Sequence, residues 1–124
     1  TDCGCAFLIH YRGKAVYHAG DLHWWLWAEE TDAANQQMTG NFKKEMEYLE
    51  GLALDLAFVP LDARLDGTYG LGMKYLLEHA DVRHVFPMHF WDDFSVMDRY
   101  ASEYPLPAHT QFHKIPGNGA SWEL

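Results

Sequence analysis

A chain of 124 residues has room for one domain, and folding at that size buries roughly two-thirds of the surface of the unfolded chain. An aromatic content of 15% excludes a disordered tail, because such segments lack the large side chains whose burial offsets chain entropy. Eighteen acidic residues against nine basic ones give a net charge of −9, the wrong sign for a polyanionic backbone, so nucleic acid is not expected as a partner.

In chain order, Cys3-Gly4-Cys5 comes first. A disulfide across one intervening residue closes a strained ring, and two thiolates with no second cluster do not complete a structural zinc site. Free thiols in a reducing cytoplasm are therefore expected, and the N-terminus shows neither the basic start nor the apolar core of a signal peptide. A cysteine-dependent redox role is the weakest reading, because the pair precedes an apolar strand and has no adjacent cation to stabilise a thiolate.

Cys5 to Tyr11 is largely apolar, and beyond Arg12-Gly13-Lys14 a second apolar run, Ala15 to Tyr17, leads into His18-Ala19-Gly20-Asp21. This pattern predicts a β-hairpin. Leu22 to Ala28 carries Trp24, Trp25 and Trp27, fits neither the helix nor the strand period, and reads as a loop with aromatic anchors. Thr31 is the expected N-cap of an amphipathic helix on which Met38, Phe42, Met46 and Leu49 share one face, with Gly40 weakening its middle. Leu54 to Val59, between Gly51 and Pro60, reads as a buried strand; like every other apolar run here it falls far short of the roughly 20 residues that span a bilayer, so no membrane partner is expected.

Leu71 to His79 carries a helical face of Leu71, Tyr75 and Leu76, and Val82 to Met88 is the next strand, closing on His89. A short helix from about Asp93 to Tyr104, a turn at Pro105 and Pro107, and a strand from Gln111 to Ile115 complete the chain. Strands alternating with helices predict an α/β fold whose mixed sheet is covered by helices on one face. Neither an internal repeat nor a linker divides residues 1–124.

Two polar residues fall where α/β proteins place their sites, just past strand ends: Asp21 after the hairpin and His89 after Val82 to Met88. A carboxylate and an imidazole are ordinary ligands for zinc, manganese or iron. Each also has a plain structural reading, since an aspartate in a Gly-Asp turn bonds its own backbone and a histidine after a strand can be a satisfied core residue. His18 reads as a core residue or as one that orients a metal-bound carboxylate. His23 is close enough to Asp21 in the chain to approach a metal, whereas His10, His79, His84, His109 and His113 have no partner at ligand spacing and read as surface or structural. Trp24, Trp25, Trp27 and Trp91 flank the two candidate ligands, where they could wall a substrate pocket or fill the core at the sheet end. Asp62 and Arg64, also past a strand end, form either a structural ion pair or part of a rim on which Arg64 meets an anionic substrate group.

Three segments, Tyr17-His18-Ala19-Gly20-Asp21, Phe58-Val59-Pro60-Leu61-Asp62-Ala63-Arg64 and Phe86-Pro87-Met88-His89-Phe90-Trp91, resemble in order and spacing the second half of a bacterial branch of the metallo-β-lactamase superfamily. The resemblance covers about Thr1 to Met97. It implies half of an αβ/βα sandwich, with Asp21 as the carboxylate that bridges two divalent metal ions and His89 as a ligand to one of them. Zinc is the expected metal, with manganese or iron as alternatives. The family's His-x-His-x-Asp-His motif occurs nowhere in the chain; it belongs to an N-terminal half, and Thr1-Asp2-Cys3-Gly4 stands where that half would hand over.

The expectation is thus part of a metal-dependent hydrolase with a small-molecule substrate, inactive by itself and with no catalytic residue assigned. Lactams, thioesters, phosphodiesters and lactones all stay open as substrates. A half-sandwich also leaves a sheet face bare, including Phe7, Ile9 and residues of Leu54 to Val59, for a second copy in a homodimer or for the N-terminal half. The alternative is a non-catalytic fold fragment or interaction module with at most weak metal binding.

Overall fold

The computed structural model describes residues 5–124. The Cys3 half of the expected thiol pair lies outside the described residues, and Cys5 is an exposed free thiol. Strands β1 (Phe7–Tyr11) and β2 (Lys14–His18) form an antiparallel hairpin. Its turn bends at Arg12 and Gly13, both in the left-handed region at φ 49° and 78°. Alternation along β2 sends Ala15 and Tyr17 into the core, as the period of two requires.

Helix α1 (Asp32–Met46) starts at Thr31, whose hydroxyl accepts the Ala34 N–H at 3.1 Å. A short 3-10 turn, Glu47–Leu49, extends it, so that Phe42, Met46 and Leu49 are buried along one stripe. Next come β3 (Ala53–Pro60), a 3-10 segment (Ala63–Thr68), α2 (Leu71–His79), β4 (Asp81–Met88), α3 (Ser95–Glu103) and β5 (Gln111–Phe112). Helix α2 has the expected ends, but its buried face is Gly72, Met73, Leu76 and Leu77 rather than Leu71.

The protein is α/β, with one five-stranded mixed sheet in the order β1-β2-β3-β4-β5. β1 and β2 are antiparallel, and all other neighbours are parallel. Tyr17, Ala57, Val59 and Val85 from the sheet share one core with Phe42, Met73, Leu76, Met97 and Tyr100 from the helices. Strand β5 is shorter than the expected Gln111 to Ile115. The His113 N–H still reaches Val85 O at 3.0 Å, but the Ile115 N–H turns to Met97 Sδ at 3.1 Å, and Pro116 has no N–H to continue a ladder.

The sheet also carries apolar side chains outside that core. Leu56, Phe58 and Phe86 line a cavity of about 660 Å³ together with residues of the C-terminal segment; Trp122 lies edge-on to Phe86 at 4.9 Å. All five residues of β1 are exposed, Phe7 and Ile9 of the expected bare face among them; in β3, Leu54, Ala57 and Val59 are buried in the helix-covered core, while Leu56 and Phe58 line the cavity. Among the described residues no helix is long and apolar enough to cross a membrane.

Candidate functional site

Because β2, β3 and β4 run parallel, their C-terminal ends open on one edge of the sheet, and the residues just beyond them converge. The pairing continues past the strands: the Ala19 N–H donates to Phe58 O at 3.0 Å, and the Leu61 N–H to Met88 O at 2.9 Å. Gly20 then turns at φ 58°, where a Cβ would sit 2.3 Å from the Cys5 carbonyl oxygen, so only glycine can deliver the chain to Asp21 along this path. Asp21, Asp62 and His89 thereby reach one place from three strands.

His89 lies between the two carboxylates. Its Nε2 is 3.3 Å from Asp21 Oδ1 and its Nδ1 is 3.1 Å from Asp62 Oδ2. Asp62 has a side chain only 1% exposed and accepts from the Arg64 backbone N–H at 3.0 Å, from Arg64 Nε at 2.9 Å and from Nη2 at 2.7 Å. Burial works to raise the Asp62 carboxyl, but the hydrogen bonds and charge of Arg64, with the bond to His89, outweigh it and hold the group below its ordinary range. Asp62 is therefore an ionised acceptor, and the His89 contact is Nδ1–H donating to it.

That anchor decides what faces Asp21. With Nδ1–H engaged by Asp62, the ring presents to the 62% exposed Asp21 carboxylate, 3.3 Å away, either an Nε2–H donor, when both nitrogens carry protons, or an Nε2 lone pair that a metal ion can share with the carboxylate. Metal–ligand bonds of about 2.0–2.2 Å, at ligand–metal–ligand angles of roughly 90–110°, separate the donor atoms by roughly 2.8–3.6 Å, a range that includes the observed 3.3 Å. The carboxylate–histidine anchor on the far nitrogen is the arrangement that fixes the tautomer of a ligating histidine. His89 and Trp91 are also left-handed, at φ 64° and 54°, which costs on the order of 1–2 kcal/mol each for residues with a Cβ.

The tryptophans divide. Trp25 Nε1 donates to the Asp21 backbone oxygen at 2.8 Å, and its ring meets His89 edge-on at 5.2 Å and His23 at 4.9 Å. Trp27 stacks on Trp25 at 5.9 Å. The Arg64 guanidinium lies 5.6 Å from the Trp27 ring and 5.4 Å from that of Trp91. Trp24 turns away toward α1, where it stacks on Phe42 and its Nε1 donates to Thr39 Oγ1 at 2.8 Å.

The histidines divide as well. His18 Nδ1 accepts the Gly20 N–H at 3.1 Å and its ring tilts against Phe58, facing the apolar cavity. His23 is buried against the first turn of α2, where a Cβ on Gly72 would lie 2.5 Å from its Nδ1. Neither ring nitrogen of His23 has a hydrogen bond of good geometry. Burial lowers it to about 4, and the pull of the Tyr69 carbonyl and of Asp62 does not offset this, so the ring is neutral. His84 and His113 bond each other at 2.9 Å, His79 Nδ1 meets the Tyr75 carbonyl, and His109 pairs with Asp81.

Among the described residues no cluster of three or more His, Cys, Asp or Glu is placed to hold one ion. Asp21 and His89 thus stand 3.3 Å apart as a pair, with Asp62 engaged on the far nitrogen of His89. The anchoring of His89 by Asp62 is what sequence reasoning missed. Its signal was the position of Asp62 past the end of β3, between the two strands that deliver Asp21 and His89. In comparisons with known proteins, the chain matches no family model, no curated protein and no solved structure.

Proposed function

We propose that this chain supplies Asp21 and His89 to a divalent-metal site, zinc by preference, in a hydrolase resembling the metallo-β-lactamase superfamily. The observation that carries the reading is the Asp62–His89–Asp21 line, in which one nitrogen is anchored on a buried carboxylate and the other is aimed at an exposed one. A bound ion would activate water and polarise a carbonyl or phosphoryl oxygen. The chain's own residues do the positioning: Asp62 sets the tautomer of His89, Trp25 ties the Asp21 backbone to the His89 ring, and Trp25 with Trp27 walls one side. The remaining ligands come from water or from polypeptide beyond these residues, and the substrate is a small molecule.

Equilibrium titration with Zn²⁺ or Co²⁺ tests this. Asp21→Ala and His89→Ala should each abolish or strongly weaken binding, and Asp21→Ala should leave the urea midpoint nearly unchanged, since an exposed turn residue contributes little to stability. Wild-type affinity in both variants sinks the proposal. The exposed Phe7, Ile9 and Tyr11 of β1 favour a second reading, a fold fragment that associates with another polypeptide. Sedimentation as a monomer at tens of micromolar, with no binding of a hydrophobic dye, would remove it.

A further inference from the structure

We propose that Arg64, Trp27 and Trp91 form an anion-recognition subsite beside Asp21 and His89, which takes a carboxylate or phosphate group carried on a planar apolar body. Its place in catalysis rests on the metal-site reading above; its binding does not.

The first observation is connectivity. Asp62 Oδ2 accepts Arg64 Nη2 at 2.7 Å and His89 Nδ1 at 3.1 Å, so one oxygen joins the guanidinium to the imidazole, and a ligand held by Arg64 lies within reach of the Asp21–His89 pair. The second is valence. The fork on Asp62 uses Nε and Nη2, while Nη1 has no hydrogen-bond partner among the described residues, and the Arg64 side chain is 53% exposed. A guanidinium held on one edge, with the other edge in solvent, is preorganised to bind an oxyanion through parallel N–H groups.

The third observation is the aromatic setting. Balancing the charge of buried Asp62 accounts for Arg64, but it does not account for two indoles at 5.6 and 5.4 Å from the guanidinium. Trp91 is 69% exposed and is held at φ 54°. A large apolar side chain presented to water on a strained backbone finds its use when a ligand covers it. In a chain with net charge −9, a cation set among indoles selects an anion by geometry and stacking rather than by a long-range field.

Calorimetry and tryptophan fluorescence on the full chain, with and without Zn²⁺, provide the test. The probes are benzoate and phenyl phosphate, with benzyl alcohol as the uncharged control and inorganic phosphate as the anion without a planar body. At least one aromatic anion should bind ten-fold or more tighter than both controls, and whichever is tighter names the preferred group. Trp91→Ala should weaken that binding at least five-fold with the unfolding midpoint unchanged. Arg64→Lys, which keeps the charge but loses the fork, should weaken it similarly. Because Arg64→Gln uncovers a buried carboxylate and can unfold the chain, the exposed Trp91 carries the decisive variant. Equal binding of benzyl alcohol, or wild-type affinity in both Trp91→Ala and Arg64→Lys, overturns the proposal. Anion binding that persists where Zn²⁺ does not bind removes the metal reading alone, and Zn²⁺ binding without anion preference removes the subsite alone.

Discussion

Replacing Asp62 with asparagine preserves shape while exchanging one acceptor oxygen for a donor amide. The orientation of the new amide is set by its least mobile partner. Asp62 Oδ1 accepts the Arg64 backbone N–H at 3.0 Å, a donor that cannot turn away, so the asparagine oxygen takes that position and its NH₂ faces His89. His89 Nδ1 must then accept, the proton moves to Nε2, and Nε2–H donates to Asp21 in place of offering it a lone pair. Removing the anchor of a ligating histidine typically lowers metal affinity about 10–100-fold, or roughly 1.4–2.7 kcal/mol. The lost charge-assisted bonds should reduce folding stability by about 1–3 kcal/mol. Co²⁺ titration measures the affinity, imidazole ¹⁵N shifts report the tautomer, and urea unfolding gives the stability. Wild-type metal affinity in Asp62→Asn, with Nε2 still unprotonated, would refute the reasoning.

Gly72→Ala should destabilise the chain by up to about 2 kcal/mol: the added Cβ meets the buried His23 ring at 2.5 Å and the Trp24 backbone nitrogen at 3.2 Å, an overpacking that costs about 1–3 kcal/mol, against a gain in helix propensity of at most about 1 kcal/mol. A variant as stable as wild type in urea would show that the ring moves freely. Burial and the neighbouring His84 hold His113 below the ordinary histidine value of 6.5. The unfolded chain therefore binds the proton first, and this contribution to stability is full above 6.5 and is lost progressively as pH falls from there through the lower value of the folded state; urea midpoints between pH 7 and 5 should fall less steeply in His113→Gln. Thr31→Ala removes the cap on the Ala34 N–H and should cost about 0.5–2 kcal/mol, seen as a lower unfolding midpoint with unchanged metal affinity.

The kind and order of most elements were legible in the sequence because local chemistry decides them. The hairpin, the Thr31 cap, the Phe42–Met46–Leu49 stripe and the Leu71–His79 helix follow from side-chain periodicity and end residues within short segments. The placement of Asp21 and His89 just past strand ends was legible for the same reason. That these residues lie 3.3 Å apart, with Asp62 behind them, came only with the tertiary structure, because it depends on the parallel register of β2, β3 and β4, a long-range choice that no single segment encodes. Loop direction was equally hidden: Trp24 and Trp25 are adjacent in sequence, yet one packs on α1 and the other on the Asp21 turn. The burial of His23 follows from Gly72, 49 positions further along, having no side chain where the ring lies, a fit that exists only once α2 has docked on the sheet.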